Sequence, residues 1–192
     1  MRKSMVVSIK KNGIAAAAVV AVVMMLAGPA SADEVLCSNY GGVIDIPLDA
    51  DVVADVDCTV GPSGFVHGNI YARGSKVRIQ GGVNGNISQQ GRGGVILEEG
   101  AGINGNIEEN GPGGVWVRVG AGKVFNGDIR EEGPGDVRMT VMDGGLFNGN
   151  IEEKGRGSLI TRGNGKLNGS TKEEGPGKDR DSIAAFSEKA YE

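Results

Sequence analysis

Few residues in this 192-residue chain could act on a substrate, and their spacing restricts what they could do. His67 is the one histidine and Cys37 and Cys58 are the two cysteines, so a His/Cys zinc site fails on ligand count. His67 stands in a position that later segments fill with Asn84, Asn104, Asn126 and Asn148, the place of a solvated side chain and not of a catalytic base. Gly100-Ala101-Gly102-Ile103-Asn104-Gly105 matches a dinucleotide fingerprint, but no helical pattern follows it. No Gly-x-Ser-x-Gly, His-Glu-x-x-His or phosphate loop occurs, and Asp128, Asp136 and Asp143 are too few for calcium-binding nonapeptide repeats. No catalytic residue, cofactor or metal is therefore expected. Two groups remain as a candidate interaction surface. The first is Trp116 with Ile96, Arg138 and Ile160, where Arg138 could cover the indole by a cation–π contact. The second is Glu109, Glu131, Glu153 and Glu173, expected as a solvated acidic face able to attract cations or a basic partner.

The elements that position these residues are repeats. A phrase returns six times: Val66-His67-Gly68-Asn69-Ile70, Val83-Asn84-Gly85-Asn86-Ile87, Ile103-Asn104-Gly105-Asn106-Ile107, Phe125-Asn126-Gly127-Asp128-Ile129, Phe147-Asn148-Gly149-Asn150-Ile151 and the decayed Leu167-Asn168-Gly169-Ser170-Thr171. Its central glycines are 17, 20, 22, 22 and 20 residues apart. About eight residues after each Ile comes an alternating run such as Val115-Trp116-Val117-Arg118-Val119. Period-2 alternation gives each unit two short strands, neither able to bury its apolar face alone. Stacking the units at about 4.8 Å buries both.

The expected fold is all-β: a parallel β-helix (β-solenoid) of about six coils of 17–22 residues, right-handed by the usual crossover preference. Residues 33–65 would form an N-terminal cap and degenerate first coil, 66–177 the repeats, and 178–192 a C-terminal cap or tail. In that tail Asp181 or Ser182 could start a short helix with Ile183, Phe186 and Ala190 on one face. Stacked Asn amides should hydrogen-bond from coil to coil. Cys37 and Cys58, 21 residues apart with no competing thiol, are expected to form a disulfide that pins the cap to the first coil.

The x-Asn-Gly-Asn-Ile phrase, with two cysteines and an export signal ahead of it, resembles secreted actinobacterial Gly-Asn-Val/Ile repeat proteins. Its coil length and Gly-x-Ile rhythm are also similar to bactofilins, the polymer-forming bacterial solenoids. The resemblance covers about residues 52–177 and implies an exported, non-enzymatic solenoid; it brings no catalytic residues.

An export signal is expected over residues 1–32. Arg2, Lys3, Lys10 and Lys11 precede the 13-residue apolar run Ile14–Leu26, and Ala30-Ser31-Ala32 suits a signal peptidase. The run falls short of the about 20 residues of a membrane span, so the mature protein is not expected to be integral to the membrane. Removing it leaves 16 basic residues against 24 acidic ones, a balance that argues against nucleic acid as partner. The functional expectation is a secreted or cell-surface structural or interaction protein, its partner a cell-wall or extracellular polymer or a second copy. A glycan- or ligand-binding module is the alternative, and a small carbohydrate-active enzyme a more distant one.

Overall fold

A computed structural model describes residues 33–177, together with Arg180 and Asp181. The chain is a parallel β-solenoid of about seven turns. Each turn contributes one strand to each of three sheets, here A, B and C, with eight, eight and seven strands. Three strands per coil replace the two expected from the repeat. The glycine of each phrase is a corner, so Val124–Asn126 belongs to sheet C and Ile129–Glu131 to sheet A. Gly127 shows why. Its φ is 142°, and a Cβ there would lie 2.1 Å from the carbonyl oxygen of Gly105 on the coil beneath. The obstacle is the neighbouring backbone and not a crowded lumen, so only glycine lets consecutive corners stack at strand spacing.

Registration is strict along the axis. Val52, Ile70, Ile87, Ile107, Ile129 and Ile151 pair in sequence on sheet A, and all are buried. Sheet C adds Val66, Val83, Ile103, Phe125, Phe147 and Leu167, with the two phenyl rings 4.8 Å apart. Sheet B adds pairs such as Val115 and Val117, which alternate with outward residues. Each fully buried aliphatic side chain contributes about 1.5–3 kcal/mol, so the stacked columns are what the short strands rely on.

Both ends differ from the expected boundaries. Residues 33–65 form two genuine coils, starting with Glu34–Leu36 on sheet A, Val43–Ile44 on sheet B and Pro47–Leu48 on sheet C. Their spacing of 17 residues, Glu34 to Asp51, lies within the repeat range; only their wording lacks the Asn-Gly phrase. The Cys37–Cys58 disulfide is present, with Cα atoms 5.9 Å apart and both residues buried. The two are not stacked mates. Thr59 pairs with Val43, and Cys37 instead opens a 3-10 helix, Cys37–Tyr40, that fills the corner between two strands of the first coil. The bridge ties that corner to the second coil. At the other end, Arg180–Asp181 adds a strand beside Leu159–Gly163, with Thr161 opposite Asp181. Residues 1–32 and 182–192, including the export signal and the rest of the expected C-terminal helix, lie outside the described residues.

Candidate interaction surface

The three sheets present three outer faces, and their chemistry differs. On sheet A the outward column runs Glu108, Arg130, Glu152, Lys172, alternating in sign from coil to coil. Arg130 pairs with Glu132 and approaches Glu152 at 3.9 Å; Lys154 reaches Glu152 at 3.1 Å and Glu174 at 3.8 Å; Lys172 pairs with Glu174. Its charges answer one another, and ion pairing holds the Arg130 and Lys172 pKa values above, and that of Glu174 below, the usual range.

Sheet C and its corner carry amides. Asn104 Nδ2 donates to Asn84 at 2.8 Å, Asn148 to Asn126 at 2.9 Å and Asn168 to Asn148 at 2.9 Å, the expected ladder. The second Asn of each phrase bonds differently. Asn86, Asn106 and Asp128 accept with Oδ1 the backbone N–H one coil further on, at 2.7–2.9 Å. These groups cap corners. His67 is exposed in register with Asn84, its ring 4.5 Å from that of Phe65.

The acidic face expected from Glu109, Glu131, Glu153 and Glu173 does not exist. Glu109, Glu131 and Glu153 are fully buried, and Glu173 is half-buried at the end of the same inward column. The reason is parity: each lies two residues beyond the inward Ile or Thr, so alternation turns it inward as well. Inside, the carboxyls close the corner between sheets A and B. Glu131 Oε1 accepts the N–H of Gly133 at 2.8 Å and of Gly135 at 3.2 Å, and Glu153 Oε1 accepts Gly155 N–H at 2.8 Å. Glu173 Oε2 reaches back one coil to the N–H of Leu159 at 3.1 Å. Burial first, then contact with Glu109 and Glu153, pushes the Glu131 pKa up to about 9; burial also raises Glu109. Both Glu109 oxygens and Oε2 of Glu131 and Glu153 lack partners while the groups are charged. Protonation of Glu109 and Glu131, the two whose pKa values are raised, turns each carboxyl into a donor towards its neighbour in the column. Among the described residues no group of three His, Cys, Asp or Glu side chains is placed to hold a metal ion.

Sheet B is the remaining face, and it brings the first candidate group together. Arg78, Ile96, Trp116, Arg138 and Ile160 pair successively in one outward column. A parallel column two residues on holds Glu98, Arg118, Thr140 and Arg162. Between them runs a shallow trough of about 410 Å³. Trough volume does not single it out, since one on face A measures about 420 Å³. Its chemistry does. Trp116 is 36% exposed, and its ring edge lies over Gly94 of the coil beneath. The guanidinium of Arg138 is held by Asp136, with Nε and Nη2 at 3.2 and 2.7 Å from Oδ2, so it does not cover the indole by a cation–π contact. Arg78 is held by Glu98 at 2.5 Å. Arg118 and Arg162 are exposed and form no ion pair among the described residues. The sequence reading passed over Arg162 and gave Arg118 no part in the surface; both lie two residues past the outward Trp116 and Ile160, which parity alone would have shown.

None of the described helices is long and apolar enough to cross a membrane. Compared with protein-family models, curated proteins and solved structures, the chain finds no match.

Proposed function

We propose that this is an exported, non-enzymatic structural or cell-surface interaction protein, a rigid three-sided rod that engages its partner with face B. The observation that carries the reading is the contrast between faces. Most charges of face A pair with one another, and the amides of face C do the same. Tyr71 and Arg73 are exposed on face A and Phe65 on face C, but face B gathers an exposed indole, two half-buried isoleucines and two unpaired arginines in adjoining columns along one trough. Exposed apolar surface edged by charge is the usual mark of a contact site. Export is supported by the basic-then-apolar segment before residue 33 and by the disulfide, which an oxidising compartment favours. The non-enzymatic part is supported by the placement of the acids. A glycosidase needs two carboxyls across one groove. On face B Glu98 and Asp136 each hold an arginine, in the face-A trough Glu152 pairs with Lys154 and Asp128 accepts the N–H of Asn150, and Glu109, Glu131 and Glu153 face the interior.

Cell fractionation with N-terminal sequencing tests the reading. A chain starting at Asp33 and retained at the envelope is expected, with Trp116→Ala released into the medium and the face-A variant Glu152→Gln retained. Uncleaved protein in the cytoplasm, or retention indifferent to Trp116, would overturn it.

A further inference from the structure

Resting on that reading, we infer that face B is a docking track for an extended polysaccharide bearing carboxylates at regular intervals, laid along the solenoid axis. Charge provides the first argument. The chain from residue 33 onward has eight more acidic than basic residues, yet the two outward columns of sheet B hold Arg78, Arg118, Arg138 and Arg162 against Glu98, with Asp136 beside them two residues before Arg138. The positive surplus is local, and two of its four guanidinium groups, those of Arg118 and Arg162, form no ion pair among the described residues. Guanidinium is the group suited to carboxylate, since its planar fork makes two parallel N–H···O bonds.

Spacing is the second argument. Arg118, Thr140 and Arg162 occupy successive coils of one column, so the two unpaired guanidinium groups stand two coil steps apart, about 9.6 Å at the strand spacing. One coil step is close to the rise of one sugar in an extended chain. A polymer with one carboxylate per disaccharide would present an acid to Arg118 and the next to Arg162, with its uncharged sugar beside the hydroxyl of Thr140. The third argument is the neighbouring column. Trp116 offers an exposed ring flanked in register by Ile96, an apolar platform for the C–H faces of sugar rings beside the charges, with Ile160 beyond Arg138. A compact anion would need one cluster of donors, whereas here the donors are strung along the axis. The trough is open and shallow, as a track for a long chain should be and a pocket for a small molecule is not.

The test measures binding of the purified, disulfide-intact protein to four immobilised probes: hyaluronate (one carboxylate per disaccharide), polygalacturonate (one per sugar), neutral dextran, and vesicles containing anionic phospholipid. Hyaluronate should bind best, with affinity falling as salt is raised. The Arg118→Ala/Arg162→Ala double variant should lose at least tenfold, and Trp116→Ala a similar amount, while Glu152→Gln on face A keeps full binding. Far-ultraviolet circular dichroism identifies any variant that fails to fold, and the exposed substitution Arg162→Gln serves as the milder second variant. Equal binding to dextran would remove carboxylate recognition. Preference for the vesicles, with Trp116→Ala unaffected, would make the face a generic anionic-membrane contact and overturn the inference. Binding to none of the four would also overturn it, while envelope retention in the fractionation experiment would leave the wider interaction role standing.

Discussion

The N-terminal and C-terminal coils solve the same corner in different ways. From the inward residue that begins the sheet-A strand to the first inward residue of sheet B is six positions at Val52–Cys58 and seven at Ile70–Val77. It is eight at Ile87–Val95 and in each of the three coils after it. The inward side chain two residues into the A strand follows that count. It is Ala54, then Ala72, in the tight corners, and Gln89, Glu109, Glu131 and Glu153 in the wide ones. A tight corner is bonded to the corner of the neighbouring coil: Ser38 N–H reaches Asp55 at 3.0 Å, Lys76 N–H reaches Asp57 at 2.8 Å, and the Ser75 hydroxyl donates to the Ala54 carbonyl. One more residue turns glycine N–H groups inward, and a long acceptor must come from the core to meet them. The first solution bonds neighbouring coils to each other and is covalently braced by Cys37–Cys58; the second takes its acceptors from a buried carboxyl column in which Glu109 and Glu131 have raised pKa values. One solenoid thus has one end that answers to reductant and another that answers to pH.

The comparison rests on which residues face inward, and that assignment is broken most forcefully at Ile129. Ile129→Asp puts an unpaired charge in a sealed column between Ile107 and Ile151 and should cost about 3–5 kcal/mol. Asn126→Asp, exposed and still able to accept from Asn148 Nδ2, should cost under about 1 kcal/mol. Urea midpoints separate the two; equal midpoints would mean that the register is wrong.

How far the sequence could be read follows from the same parity rule. The Ile column and the solenoid were legible because alternation and hydrophobicity agree there; the outward row Ile96, Trp116, Arg138, Ile160 was legible from alternation alone, and the Cys37–Cys58 pair from the absence of a competing thiol. At Glu109, Glu131 and Glu153 they disagree: a carboxylate's preference for water argues outward and its spacing from Ile argues inward. Spacing won, since the strand cannot turn one side chain without turning them all. Two features had no signal of that kind. The third strand per coil was hidden because each phrase is too short to reveal that its glycine is a corner, and the first two coils because they lack the Asn-Gly phrase.

Reduction sharpens the contrast from the N-terminal side. Closing a loop of 21 residues contributes about 3 kcal/mol by chain entropy, so the Cys37→Ser/Cys58→Ser variant should unfold at correspondingly lower urea. Hydrogen exchange should place the loosening in residues 34–60, with amides near Glu131 little changed. Uniform loosening along the rod would dissolve the distinction between the ends.

From the C-terminal side the lever is alkali. A Glu131 carboxyl that titrates near 9 in the fold and near 4.5 when unfolded binds more protons folded than unfolded throughout that interval. Its stabilisation is therefore complete below about pH 4.5 and is lost as pH rises towards 9, at up to about 1.4 kcal/mol per pH unit, with Glu109 shifted in the same direction. Urea midpoints should fall between pH 6 and 9, with amide exchange rising first in residues 109–160. A midpoint that holds or rises over that range would show the column to be charged when folded.

The smallest expected change is the most specific. Glu131→Gln keeps the side-chain length and the carbonyl that accepts from Gly133 and Gly135, and supplies a permanent donor where the acid needs a proton. The column already contains such a residue: Gln89 is fully buried one step before Glu109, and its amide donates to the carbonyls of Gln90 and Gly91 at 3.2 and 3.4 Å. At pH 6, where the native carboxyl is protonated, the variant should lie within about 1 kcal/mol of wild type, the size of one hydrogen-bond difference. At pH 9 it should be the more stable of the two, because it has no proton to lose. Crossing of the two stability curves as pH rises is the expected signature. Parallel curves would mean that the pH dependence arises elsewhere, and a large loss at pH 6 would mean that the corner glycines need a charged acceptor.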